Sequence, residues 1–362
     1  MKHVPERTHH AMLDAYTTLR LGGPAGELIE AASAEEIVAA LRKVDAAGPA
    51  HDDAVTSAFV LAGGSNVVVA DSGFPGTVVL VRNRGYSVRR EGERAVVRVE
   101  AGQPWDDLVA ATVAEGLTGL ECLSGIPGSA GATPIQNVGA YGQEVAETIT
   151  AVRVYDRRTG DTVVMSPDEC RFGYRASVFK HNDRFVVLSV DFSLAVSTRS
   201  MPIRYAELAR RLGVAPGDRV ESGRVREAVL ALRAGKGMVL DAADPDTYSV
   251  GSFFTNPVVT ADGFAALRDR TGGVEPPAFP AGDGHVKVSA AWLIEHAGFA
   301  RGYGDPAAGV GISTKHTLAL TNRGTGTTSA LLALAREIRA GVRDRFGVDL
   351  HPEPVLINCS LS

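Results

Sequence analysis

The sequence predicts an α+β fold of more than one domain, and three observations carry that reading. The chain has 362 residues, more than a single hydrophobic core usually serves. Short apolar strands alternate irregularly with amphipathic helices, without the regular strand–helix repeat of a parallel α/β array. One stretch, SGIPGSAGATPIQNVGAY at 124–141, is rich in glycine and almost free of charge, and has the composition of neither helix nor strand.

Taken in order, TTLRLGGPAGELIE turns at Gly22-Gly23-Pro24 and continues as a strand over 27–31. Ser33-Ala34-Glu35-Glu36 is a capping-box pattern, and Ile37, Leu41 and Val44 follow at helical spacing. After a polar loop, strands are expected at 59–61, 67–70 and 78–81. Between the first two lies Gly63-Gly64-Ser65-Asn66, either a hairpin turn or a nest of backbone N–H groups that binds phosphate. A strand at 95–101 precedes a helix at 104–115 with Trp105, Leu108, Val109 and Val113 on its apolar side. Strands follow at 149–155, 163–165 and 186–194, and FGYRASVFK sets Arg175, Ser177 and Lys180 among aromatics.

Residues 195–223 are polar and proline-containing and read as a linker with a short helix at 205–212. A helix at 225–234 stops at Gly235, and 236–262 is mostly loop with one short strand. A helix opens at 290–296 and a strand lies at 317–321. The clearest helix, 329–346, carries Leu331, Leu334, Ala335, Ile338, Val342 and Phe346 on one face, and a strand-like HPEPVLIN follows.

Composition removes several classes of function. Apolar residues make up 45% and charged residues 22%, as in an ordinary globular protein, and the net charge of −5 gives no reason to expect nucleic acid or an anionic membrane as partner. Cys122, Cys170 and Cys359 are too few and too scattered for a disulfide framework or a zinc site, so a cytoplasmic protein without a metal is expected. MKHVPERTHHAML has no apolar core and is not expected to be a signal peptide, and no apolar run reaches the ~18 residues of a membrane span.

Single motifs are weak. The run through Gly324-Thr325-Gly326 into the 329–346 helix imitates a dinucleotide fingerprint, but Ser329 stands at its third glycine and no second βαβ unit follows. It reads as an N-capped helix. Ser252 in GSFFTNP has no neighbouring base, Arg175 beside Tyr174 could be a structural ion pair, and Glu353 between two prolines could be surface decoration. Gln136 and Asn137 offer amide groups that can satisfy a heterocycle edge.

Together the motifs say more. GIPGSAGATPIQNVGAYG at 125–142 is very similar to the signature of the UDP-N-acetylenolpyruvoylglucosamine reductase family. TTLRLGG, LAGGSNVVVAD, YRASVFK, GSFFTNP, AAWLIEHAGF and HPEPVLI occur in the family's order over nearly the whole chain. The resemblance implies a two-subdomain FAD-binding fold of the vanillyl-alcohol-oxidase type and a C-terminal α+β substrate-binding domain. It places FAD-binding subdomains at 1–82 and 83–222 (with a tyrosine loop at 200–215), a substrate domain at 223–347 and a tail at 348–362.

It also implies the chemistry: NADPH reduces FAD, and flavin N5 then delivers hydride to the enolpyruvyl group of a UDP-sugar, making UDP-N-acetylmuramate for peptidoglycan. By resemblance, FAD meets Gly63, Gly64, Ser65 and Asn66, and Ser124, Gly125, Ile126, Pro127, Gly128, Gly131, Ala132, Gln136, Asn137, Gly139 and Tyr141. Arg175 and Glu353 stabilise the enolate and Ser252 supplies the proton, while Tyr174, Tyr205, Lys236 and Asn256 contact the substrate. PIRYAELARRL resembles the mobile tyrosine loop of one branch of the family, with Tyr205 as its tyrosine. The C-terminus departs from the usual pattern, with His351 two residues before Glu353 and Pro354-Val355 after it. A monomer is expected. The alternatives are a flavin oxidase of the same superfamily acting on a small alcohol or hydroxy acid, and a non-catalytic nucleotide-sugar-binding regulator.

Overall fold

The computed structural model describes residues 7–46 and 58–361. The first six residues of the N-terminal segment, and most of the polar loop expected before residue 59, lie outside the described residues. The chain divides into two units, one from segments 1–11, 25–64 and 74–239, the other from 12–24, 65–73 and 240–362.

The first unit holds two sheets. In one, strands Ala25–Ala31, Phe74–Val81 and Ala58–Leu61 run parallel in that spatial order, with Arg7–His9 antiparallel on the outer edge. Parallel strands need a crossover, and helix Ala34–Ala46 lies in the one between Ala25–Ala31 and Ala58–Leu61, which flank Phe74–Val81, burying Ile37, Leu41 and Val44 as their spacing predicts. The Ser33 hydroxyl accepts the Glu36 N–H at 3.1 Å. The Glu36 carboxylate reaches back to the N–H of Ala32, one residue short of a regular capping box.

The other sheet is antiparallel, in the order Asp161–Met165, Ile149–Asp156, Phe185–Val196, Arg94–Glu100, Tyr86–Glu91, with Leu117–Thr118 also on Phe185–Val196. Val97, Val152, Val190 and Phe192 pack under Trp105, Leu108 and Val109 of helix Trp105–Ala114. Edge strand Tyr86–Glu91 is absent from the sequence reading, because five of its six residues are exposed and its composition does not alternate.

The expected linker at 195–223 is a correction. Ile203, Leu208, Ala209, Leu212 and Val220 are buried against Val225, Ala228 and Val229 of helix Ser222–Gly235, with Cys122 closing the cluster. The segment is a small packed layer built on helix Ala206–Leu212. Its polar positions face solvent and dilute the apolar ones in sequence.

In the second unit, Val310–Ile312, Ala319–Asn322 and Ser249–Ser252 form one antiparallel sheet, and Val258–Thr260, His285–Val288 and Ala278–Pro280 another. Phe253, Phe254, Leu293, Ile294 and Phe299 pack against helix Thr328–Phe346, which buries all six predicted residues. Helix Ala290–His296 has its expected bounds, capped by Ser289. Helix Ala261–Asp269 lies at the end of the expected loop and buries only Leu267, too little to make a stripe.

The strands on either side of Gly63–Asn66 are not partners. Ala58–Leu61 pairs with Phe74–Val81, while Val67–Val69 pairs in parallel with Val355–Ile357 near the C-terminus. The hairpin alternative for this turn is therefore excluded.

Candidate functional site

Each unit presents its own group of expected site residues. In the first, the glycine-rich stretch is a string of tight turns laid on the unit's core. Ser124 is fully buried and its hydroxyl donates to the Glu121 carbonyl at 2.7 Å, so its side chain is spent on the fold. The Gly125 N–H donates to the Asp106 carboxylate, which also receives both Nη groups of Arg226 at 2.6 and 2.8 Å. Ile126, Pro127 and Gly128 are half-buried, as is Gln136. A Cβ on Gly131 would stand 2.4 Å from that of Ala101, so this glycine lets the short turn Ala130–Ala132 seat against the strand end.

Gly63 meets the same stretch. A Cβ there would come within 2.6 Å of Gly128 Cα, so the two glycine turns touch backbone to backbone. Beside them the Ser129 hydroxyl is buried with no hydrogen-bond partner. Buried hydroxyls are almost always paired, so an orphan here fits a bound polar group such as a dinucleotide cofactor. Sequence reasoning did not single out Ser129, and nothing in its immediate sequence marks it.

The far end of the stretch holds Arg175. Tyr174 and Arg175 form a two-residue turn closed by paired hydrogen bonds between Gly173 and Ala176, and Arg175 has the left-handed φ of +51°. That conformation costs a non-glycine residue about 1 kcal/mol and persists only where neighbours enforce it. The enforcers are visible. Lys180 Nζ donates to the Arg175 carbonyl at 3.1 Å, and the guanidinium donates to the carbonyls of Asn137 and Gly139 at 3.4 and 2.7 Å. Asn137 is buried and uses its whole amide within the protein: Nδ2 donates to Glu144 and to the Gly173 carbonyl, and Oδ1 accepts the Ala146 N–H. Its backbone is engaged too, the N–H donating to the Pro134 carbonyl and the carbonyl accepting from Arg175. Tyr174 is 41% exposed, with the Arg175 guanidinium 5.4 Å from its ring centre.

Strands Gly139–Ala140 and Gln143–Glu144 form a hairpin with Tyr141-Gly142 at its tip, both at positive φ, the geometry of a type I′ turn. The tip delivers Tyr141 to Tyr205, edge to face at 5.5 Å between ring centres. Lys236 Nζ lies 5.8 Å from the Tyr141 ring centre and 2.8 Å from Glu207 Oε2. Burial pushes the Tyr141 phenol up, against the pull of Lys236 and Arg233. Burial presses the Lys236 ammonium down, but the Glu207 bond outweighs it and the net shift is upward. Tyr205, Lys236 and Tyr141 are thus together, and Glu207 joins them unannounced by any motif. Arg233 lies nearby, half-buried, with its buried Nε unpaired and Nη2 donating to the Met238 carbonyl.

In the second unit Ser252 ends strand Ser249–Ser252, half-buried, and its hydroxyl makes no hydrogen bond among the described residues. The next residue's carbonyl accepts the Glu353 N–H at 2.8 Å, and Thr255 donates its N–H to the His351 carbonyl. Residues 253–255 and 351–353 therefore lie antiparallel, and Asn66 fastens the second segment by accepting the Val355 N–H and donating to the Glu353 carbonyl at 3.5 Å. The unusual flanks of Glu353 are compatible with a fixed backbone. Ser65 precedes Asn66 in this unit. Asn256 Oδ1 accepts the Ala290 N–H at 2.9 Å, capping a helix, which leaves only Nδ2 for a substrate.

At the imitation fingerprint the protein's own side chains take up the N–H groups a phosphate would need. Asp71 occupies the N-terminus of helix Thr328–Phe346, accepting the N–H groups of Thr328 and Ser329 and the Ser329 hydroxyl. Asn322 Oδ1 accepts from Gly324 and Gly326. No group of histidine, cysteine or carboxylate side chains able to hold a metal occurs among the described residues.

Residues 26–166 match the FAD binding domain family, and residues 244–357 match the family described as UDP-N-acetylenolpyruvoylglucosamine reductase, C-terminal domain. The chain is 61% identical to the UDP-N-acetylenolpyruvoylglucosamine reductase of Salinispora arenicola over the whole of both chains. It is 57% identical to that of Thermobifida fusca over 96% of each. The crystal structure of UDP-N-acetylenolpyruvylglucosamine reductase from Thermus caldophilus superposes with a TM-score of 0.64 at 25% identity, over 98% of this chain and 99% of that one.

Proposed function

Because the chain belongs to the UDP-N-acetylenolpyruvoylglucosamine reductase family, we propose that it reduces the enolpyruvyl ether of UDP-N-acetylglucosamine to UDP-N-acetylmuramate, using FAD and NADPH. The product feeds peptidoglycan synthesis, and through it cell shape and division. When bound, FAD would supply hydride transfer from NADPH to the enolpyruvyl double bond. The residues that would hold it are Gly63, Gly64 and the 124–141 stretch, where the touching glycine turns and the unpaired Ser129 hydroxyl suit a phosphate-bearing ligand.

The chain's own part is to bind charge and place a proton. Hydride addition loads the substrate carboxylate as an enolate. A guanidinium held by two backbone carbonyls, as Arg175 is, meets that charge without reorganising. Ser252 gives its hydroxyl proton to the adjacent carbon, and Glu353 supports the enolate. The observation that carries this reading is the Glu353–Phe253 hydrogen bond, which sets the proposed acid support next to the proposed proton donor. Tyr174, Tyr205, Lys236 and the free edge of Asn256 hold the UDP-sugar.

We further propose a cytoplasmic monomer. No described helix is long and apolar enough to cross a membrane, and the three cysteines are free.

The test is direct. The purified protein is expected to be yellow, to bleach with NADPH and to recover colour on adding the enolpyruvyl substrate without oxygen. Oxygen consumption with a small alcohol, and no turnover of the UDP-sugar, would replace this reading with an oxidase. A colourless protein that binds the nucleotide sugar would make it a regulator.

A further inference from the structure

Glu207 and Lys236 form an ion pair at 2.8 Å, each side chain one-third exposed. Glu207 sits in the first turn of helix Ala206–Leu212, which starts just after Tyr205, and Lys236 caps helix Ser222–Gly235. Backbone and rings close a circuit: Glu207 to Lys236, Lys236 over Tyr141, Tyr141 edge to face with Tyr205, and Tyr205 back to Glu207 along the chain. The helix is anchored beneath by Leu208, Ala209 and Leu212, so the circuit rests on a packed base.

A diphosphate that pairs with Lys236 therefore meets an ammonium that already has a counterion. It must also tolerate a carboxylate within a few ångströms of its own charge. Like charges so close are unfavourable even near a surface. Glu207 is thus placed to oppose the ligand. Its position beside Tyr205 means that the same contact bears on the tyrosine segment.

We propose that Glu207 is a positioning residue that acts as an exchangeable counterion: it holds Lys236 and the Tyr205 segment together when no nucleotide is bound, gives Lys236 up to an entering diphosphate, and takes it back on release. This rests on the reading of Lys236 as a contact to a UDP-sugar. The raised ammonium pKa agrees with a Glu207 pairing strong enough to matter. A partly exposed pair of this kind is worth up to about five-fold in an equilibrium constant.

The experiment measures UDP binding to the flavin-loaded protein by calorimetry, at low and high salt, with the steady-state KM for the UDP-sugar alongside. Glu207→Gln is expected to tighten UDP and lower KM by about three- to five-fold. Lys236→Met is expected to cancel that gain when the two are combined. Glu207→Asp, which keeps the charge, should lie near the wild type and serves as the second variant if the glutamine form folds poorly, because a three-fold gain in it would equally sink the idea. Weaker or unchanged UDP binding in Glu207→Gln overturns the counterion role and leaves the enzyme reading intact. A wild type that turns over no UDP-sugar and binds no UDP overturns both. A gain that survives Lys236→Met assigns Glu207 a merely structural effect and also overturns the proposal.

Discussion

Asn137 and Arg175 hold each other: Nδ2 of Asn137 closes on the carbonyl of Gly173, which begins the turn bearing Arg175, and the guanidinium returns to the Asn137 carbonyl. Asn137 thus acts on both the arginine's turn and its guanidinium, together with Lys180 and the Gly139 carbonyl. Asn137→Ala should cost about 1–3 kcal/mol of stability through the Glu144 and Ala146 partners it removes. Turnover of the UDP-sugar should fall further than flavin reduction by NADPH. Equal loss in both half-reactions, measured by stopped flow, would assign Asn137 to folding alone.

Ser252→Ala should leave reduction of the flavin by NADPH nearly intact. Reoxidation by the UDP-sugar should slow by about 10²-fold or more, the usual worth of a positioned proton donor. The hydroxyl makes no hydrogen bond among the described residues, so its removal should shift the melting temperature little. A variant that melts early and slows both steps alike would make this serine structural.

Gly63→Ala tests the contact between the two glycine turns. Its methyl would fall 2.6 Å from Gly128 Cα, where only backbone can yield. Overpacking of this kind costs about 1–3 kcal/mol. The expected protein is less stable and purifies with less flavin, read from its visible absorbance. Full flavin content would show that the turns part without harm.

Asp106 links acidity to the start of the glycine stretch. Burial raises its carboxyl pKa, but the Arg226 and Gly125 hydrogen bonds outweigh that and hold it below the ordinary value. A depressed carboxyl stabilises the fold above its unfolded pKa, and that contribution is lost as pH falls through the folded one. Asp106→Asn should therefore be destabilising by about 1–2 kcal/mol at pH 7, reduced by the side chain's partial exposure. The gap to wild type should close from about pH 5 downward in denaturant melts. A gap that stays constant with pH would remove the charge from the account.

The legible parts of the chain were those with local signals. Helix Thr328–Phe346 shows an apolar stripe and a Thr327 cap, and Ser289 marks the start of Ala290–His296. Strand Tyr86–Glu91 has no buried face to leave a pattern, and the apolar residues at 203–220 are spread among arginines and glycines. The pairing of Val67–Val69 joins residues remote in sequence, which no periodicity encodes. Motif resemblance singled out Arg175, Lys236, Ser252 and Glu353 as candidates. The contacts made at them (Asn137's clasp on the Arg175 turn, Glu207 on Lys236, the Phe253 carbonyl on the Glu353 N–H) are tertiary and appear only once the chain is folded.

The parallel pairing of Val67–Val69 with Val355–Ile357 also sets a timetable. The Asn66 side-chain amide and the Glu353 carbonyl that meet there are 287 residues apart. During synthesis the early strand emerges long before its mate exists, and it carries three valines with unpaired edges. That strand can therefore be paired only once residues 355–357 have been made, and a chain cut short before residue 355 is left with a sticky strand and no partner.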